Sequence, residues 1–220
     1  MTTNRTTYEA SVFAEGEADA WYERTREHLE PFQPERDLAL RMLRFYGVRP
    51  KRVLGIGVAN GARLAALRDE TGAEVVGIEL SQRAAHDARE RYGLELLPEA
   101  VEDLSVEGTF DLVLAHFVLH WVSREGLDEA VKRMDARLAP GGLLLIGDFY
   151  PDRPKDVPYH HRTDIELFTH KRNYSKPFVA LGNYTRIGFL SGPHDALEPG
   201  VGVDPDERFG LWLLEKHRGA

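Results

Sequence analysis

The stretch Val53–Leu64, "VLGIGVANGARL", decides how the rest of this chain reads. An apolar run collapses into glycines at 55, 57 and 61 and then reopens as a helix. Glycines at such a turn let the backbone approach a ligand closely, and the helix that follows presents unpaired N–H groups and a positive dipole end. That combination favours a nucleoside or phosphate ligand. The spacing is not the dinucleotide one, because Asn60 stands where its third glycine is expected.

The 220 residues suit one sizeable core and are too few for two full domains. A net charge of −8 with no long basic run sets up a field that repels DNA and RNA, so no nucleic-acid partner is expected. The absence of cysteine rules out a disulfide, a thiolate metal site and a catalytic thiol. No apolar segment has the length of a signal core or a membrane span, which leads us to expect a cytoplasmic protein with no membrane partner.

From residue 52 onward strands and helices alternate, as a parallel sheet with crossover helices requires. The pattern predicts strands at Arg52–Ile56, Glu74–Glu79, Glu95–Leu97, Phe110–His116 and Gly142–Phe149. Leu127, Val131, Met134 and Leu138 fall on one helical stripe, and Ala84, Ala88 and Tyr92 on another that follows a cap at Ser81. Before the sheet, "WYERTREHLEPF" and "ERDLALRMLRFYG" read as amphipathic helices laid over its upper edge, with Trp21, Thr25, Leu29 and Phe32 on one face. After it come a Pro- and His-rich segment, a helix near Ser175–Leu181 and strands at Thr185–Leu190 and Arg208–Leu214.

Glu79 lies 22 residues after Gly57 at the end of the second strand, where a carboxylate accepts both hydroxyl hydrogens of a ribose. It would repel a 2′-phosphate, which disfavours NADP and leaves NAD and S-adenosylmethionine open.

The sequence downstream resembles the class I S-adenosylmethionine-dependent methyltransferases over about residues 20–150. Four blocks in order carry the resemblance: "VLGIGVANG", "VVGIEL" ending in Glu79 and Leu80, "FDLVLAHFVLHWV", and "LAPGGLLLI". It implies an α/β, Rossmann-like fold with a mostly parallel seven-stranded sheet, helices on both faces and N-terminal lid helices. The chain then divides into a lid at 1–47, a donor-binding core at 48–150 and an acceptor-side insertion with the final strands at 151–220. S-adenosylmethionine is the implied cofactor and S-adenosylhomocysteine the product. Gly57 and Gly61 match glycines beside the methionine portion, and Ala59 replaces the middle glycine. Glu79 matches the ribose acid, Leu80 the residue packed on adenine, and Glu99 the acceptor for the adenine amino group, with Glu102 and Asp103 as substitutes. His116 matches the position nearest the methionine portion. Gly55 departs from the family, which usually has an acid there to hold the methionine ammonium group.

Methyl transfer from a sulfonium is an in-line displacement in which the protein mainly aligns the partners and excludes water. A hydroxyl or ammonium acceptor also needs a base, and His120, His160 and His161 are the candidates. Tyr22, Trp121, Asp148 and His170 are candidate acceptor contacts, and no metal site is expected because His160, His161 and Asp164 fit no ligand spacing. The expected activity is methylation of an O or N atom of a small molecule, natural-product or sugar-like, and a homodimer is left open. The rivals are a degenerate, non-catalytic S-adenosylmethionine-binding domain, motivated by Gly55 and Ala59, and an NAD-dependent oxidoreductase.

Overall fold

The computed structural model describes residues 7–196 and 198–219. The strands are β1 (Arg52–Ile56), β2 (Glu74–Ile78), β3 (Leu96–Leu97), β4 (Phe110–His116), β5 (Leu138–Phe149), β6 (Lys155–Pro158), β7 (Phe168–Lys171), β8 (Tyr184–Pro193) and β9 (Arg208–Lys216). Seven of them form one sheet in the order β3-β2-β1-β4-β5-β9-β8, and β6 and β7 form a separate hairpin. Pairing is parallel from β3 to β5, then antiparallel between β5 and β9 and between β9 and β8. Val53, Leu54, Leu112, Val113, Leu145 and Ile146 in the central strands are buried, as apolar strands covered on both faces must be.

The helices are α1 (Tyr8–Val12), α2 (Ala18–Leu29), α3 (Leu38–Phe45), α4 (Ala62–Thr71), α5 (Gln82–Tyr92), α6 (Arg124–Arg137) and α7 (Ser175–Ala180). On one face of the sheet α3, α4 and Ala88 of α5 share a core with Val53, Leu145 and Leu213. On the other, Leu127, Val131 and Met134 of α6 and Phe178 of α7 pack with Leu54, Val113 and Trp212. Thr7, Asp37, Ser81 and Ser123 cap α1, α3, α5 and α6, each side chain accepting an orphan backbone N–H of its first turn. A π-helical turn, Phe13–Glu17, joins α1 to α2 and contains Gly16 at φ +135°. Only glycine takes that conformation without cost.

Four expectations change. α3 lies against a sheet face and not over the upper edge, because Leu38, Leu40, Met42 and Leu43 are all buried in the core of that face. Phe32 falls beyond α2, whose end is the extended residue Glu30. Leu138 is not the last residue of a helical stripe but the first of β5, where it pairs with Phe110 before a register shift at Leu112. The Pro- and His-rich segment contains the β6–β7 hairpin, whose short strands carry little periodicity. Among the described residues no helix is long and apolar enough to cross a membrane.

Candidate functional site

The carboxyl ends of β1 and β2, the turns after β3 and the loop after β4 converge beneath the N-terminal helices on a cavity. In an open α/β sheet this crevice is where ligands sit. Gly57, Glu79, Leu80, Glu99, Glu102 and Trp121 line it, together with Phe13, Trp21, Phe117 and Val118.

Glu79 is the centre of its chemistry. One carboxylate oxygen accepts the Ala59 N–H at 2.8 Å and the other accepts the Ser81 N–H at 2.8 Å, so one side chain ties the β1 loop to the β2 loop. Burial pushes the carboxyl above its ordinary range, while the backbone N–H groups of Ser81, Ala59 and Leu80 pull the other way. Each oxygen retains a lone pair for a ligand hydroxyl. Ala59 sits at φ +50°, the left-handed backbone that aims its N–H at the acid.

Gly57, at φ +58°, lines the cavity, and a Cβ there would meet Val118 Cγ2 at 2.3 Å. Gly61 does not face the cavity, because a Cβ on it would point at Leu94 and Ala88, where it spaces α4 from α5. Along the remaining wall two carboxyls stand close in sequence. Glu99 accepts the Ser105 N–H at 2.8 Å and the Ser105 hydroxyl at 2.5 Å. Glu102 accepts the Thr7 hydroxyl at 2.9 Å, and its burial raises it above the ordinary carboxyl range.

Gly55 has a steric explanation. A Cβ there would lie 2.4 Å from Val58 Cγ1, so Val58 occupies the space an acidic side chain would need. The charged groups at this end of the loop lie elsewhere. Asp37 accepts from Arg63 Nε at 2.9 Å and from the Leu40 N–H at 2.9 Å. Burial works against the Asp37 carboxylate, but the charge and hydrogen bonds of Arg63 outweigh it and hold the carboxyl below its usual range. His116 is coupled to both: burial and then the Arg63 charge push its imidazole down to about 3, against the pull of Asp37. His116 therefore faces this pair and Gly147, whose absent side chain leaves room for its ring, and it does not line the cavity.

Several expected acceptor contacts are turned elsewhere. Tyr22 is fully buried and donates to Asp87 Oδ2 at 2.6 Å, which pins α2 to α5. His160 and His161 are exposed beyond the cavity, on the far side of Tyr159. His170 is buried with Nδ1 2.8 Å from Asp156 Oδ1 and Nε2 3.5 Å from Glu9, fastening the β6–β7 hairpin to α1. Asp148 is 0% exposed and faces no open space. Its Oδ1 lies 2.9 Å from His120 Nδ1 and also accepts the Phe149 N–H, while Oδ2 accepts the His120 N–H. His120 itself is 4% exposed, directly behind the Phe117 and Trp121 rings that wall the cavity. Sequence reasoning missed Phe13, Phe117 and Val118, whose apolar side chains carry no chemical signature, and the pair Asp37 and Arg63, which only the packing of α3 on α4 brings together. Among the described residues no group of acidic or histidine side chains is arranged to hold a metal ion.

Residues 53–142 match a family described as a methyltransferase domain. A malonyl-[acyl-carrier protein] O-methyltransferase of Legionella pneumophila is 28% identical over 123 residues, a match that spans 52% of this chain and only 42% of that protein. The 1,6-didemethyltoxoflavin-N1-methyltransferase of Burkholderia thailandensis, solved with 1,6-didemethyltoxoflavin and S-adenosylhomocysteine bound, superposes with a TM-score of 0.72 at 18% identity, over 94% of this chain and 88% of that one. The N-methyltransferase NodS of Bradyrhizobium japonicum, in complex with S-adenosylhomocysteine, gives 0.64 at 20% identity, over 90% and 98%. These likenesses establish the fold as that of Rossmann-like methyltransferases.

Two tests follow from the geometry. Gly55→Ala will lose about 1–3 kcal/mol in denaturant unfolding through its clash with Val58, and adding Val58→Ala will recover most of it. His116 binds its proton only near pH 3 in the folded chain but near 6.5 when unfolded, so its contribution to stability is complete above 6.5 and is lost as pH falls toward 3. Wild type compared with His116→Gln will show a difference in slope of up to about 1.4 kcal/mol per pH unit between pH 6 and 4.

Proposed function

We propose that this chain, whose residues 53–142 match a methyltransferase domain family, uses S-adenosylmethionine to transfer a methyl group to an O or N atom of a small molecule of natural-product or sugar-like kind. The observation that carries this reading is the Glu79 carboxylate, braced by two backbone N–H groups at the rim of a mostly apolar cavity. A ribose diol would donate to its two oxygens. Leu80, Ile78 and Val101 would cover an adenine ring, and Glu99 or Glu102 would accept from its amino group.

The amino-acid end of the donor is a zwitterion and needs one group of each sign. Val58 fills the place of the family's acid, and the Asp37–Arg63 pair beside His116 is closed on itself outside the residues that line the cavity. The neighbours crystallised with S-adenosylhomocysteine, and the domain family, support this donor over NAD.

Calorimetry will show micromolar binding of S-adenosylhomocysteine and none of NAD, and Glu79→Gln will weaken the former by about tenfold or more. NAD binding alone would sink the reading. Because a ribose prefers the ionised form of a carboxyl that burial has raised, wild-type affinity will climb as pH rises above 4.5 and then level off. The Glu79→Gln profile will be flat.

A further inference from the structure

Beside the donor cavity, at the carboxyl ends of β4 and β5, four separate segments bring basic nitrogens around two aromatic rings. The loop after β4 supplies Phe117 and His120, β5 ends in Phe149, β7 ends in Lys171, and the turn after β8 supplies His194. Ring centroids lie 5.5 Å apart for Phe117 and Phe149, 5.1 Å for Phe117 and His194, 4.7 Å for Phe149 and His194, and 5.0 Å for His120 and Phe149. The Lys171 ammonium stands 4.2 Å over the Phe149 ring. Phe117, Phe149, Lys171 and His194 are partly exposed, and His120 keeps 4% exposure.

Phe117 is shared between the two places, since its ring also walls the donor cavity. It reaches this position from φ +53°, a backbone state that costs a non-glycine residue about 1–2 kcal/mol. Strain of that kind persists where the surroundings impose it, and it gathers at functional sites. Packing alone accounts poorly for the cluster. Burial holds the Lys171 ammonium and the His194 imidazole below their ordinary ranges, so each is desolvated at a cost that ordinary apolar side chains would avoid.

We propose that Phe117, His120, Phe149, Lys171 and His194 form the acceptor subsite, and that it takes a planar aromatic or heteroaromatic acceptor whose nucleophile is an acidic O–H or N–H. Phe117 presents its ring to a π-system from the cavity wall with Phe149 beside it under the Lys171 ammonium, and His194 and Lys171, which also donates to the Asp206 carbonyl at 3.1 Å, present donors to an ionisable heteroatom. A saccharide is disfavoured because the two rings offer its many hydroxyl donors no acceptor; of the nearby carboxylates, Asp148 is engaged by His120 and two backbone N–H groups, and Glu207 acts on Lys171 and His194. Asp148 fixes the proton on His120 Nδ1 and leaves Nε2 as the base. In the transfer, the acceptor's O–H or N–H proton passes to Nε2 as its lone pair attacks the methyl carbon. The C–S bond breaks with its electron pair going to sulfur, and the imidazolium releases the proton to water. His120 is the catalytic base and Asp148 its positioning residue.

This subsite rests on the methyltransferase reading, and S-adenosylhomocysteine binding to the wild type tests that reading separately. The further experiment follows S-adenosylhomocysteine release from S-adenosylmethionine with two panels: small phenols and N–H azaheterocycles against aliphatic alcohols, aliphatic amines and monosaccharides. Turnover confined to the aromatic panel is expected. With an active phenol or azaheterocycle, Lys171→Met and His194→Phe will raise KM about tenfold with S-adenosylhomocysteine affinity unchanged. Asp148→Asn will lower kcat about 100-fold with KM and donor affinity held, a split that a purely structural role would not produce. Turnover only in the second panel, no turnover in either, or variants that weaken donor and acceptor together would overturn the assignment.

Discussion

The site depends on one carboxylate accepting from two backbone N–H groups. Glu79 sits at the end of β2, yet its partners are Ala59 in the loop after β1 and Ser81 at the cap of α5. The same Ser81 donates to Asp19 of α2 and caps α5 by accepting from the Ala84 N–H. A single acid therefore sets the spacing of two strand ends, a helix start and the N-terminal cover. Its desolvation is offset by backbone donors that cannot move away, and this leaves it poised for ligand hydroxyls in place of water.

The cover over this arrangement is held by polar ties beside a small apolar cluster of Phe13, Ala18, Tyr159 and Leu167. Buried Glu17 accepts from the Tyr159 hydroxyl at 2.8 Å and pairs with Arg24, joining the turn between α1 and α2 to the segment after β6. Thr7 on Glu102 and Tyr22 on Asp87 add further ties. Hydrogen bonds to charged groups contribute about 1.5–3 kcal/mol each, and several of them fix the cover's orientation while a hydrocarbon interface of the same area would fix only its contact. Phe13 and Trp121, 5.0 Å apart, close the apolar side.

On the acceptor side the same economy appears in reverse. His120 keeps only 4% exposure in its pairing with Asp148, and the more open groups are the rings and the two nitrogen bases around them. A carboxylate with no exposed surface that accepts from one imidazole and two amides orients its neighbour and takes no part in contact with a ligand. This is why Asp148, which sits at a strand end where ligand-facing residues gather, points the other way.

The alternation of strands and helices, the glycine turn after β1 and the acid at the end of β2 were legible in the chain because each is local: periodicity, spacing and composition act within a dozen residues. The boundaries of β1 and β4 and the cap at Ser81 follow from the same local rules. Contacts between distant segments were not legible. Whether Gly55 marks a lost function or a filled space depended on which way Val58 turns, and the Asp37–Arg63 pair depended on how α3 docks against α4. His160 and His161 carry the composition of a catalytic pair and lie outside the cavity, whereas His120 gains its partner only when β5 brings Asp148 beneath it. The sequence by itself determined the fold class and the donor loop, since those are written in short-range pattern. Tertiary packing decided which charged side chains meet, because electrostatic coupling follows distance in space and burial, which residue order does not encode.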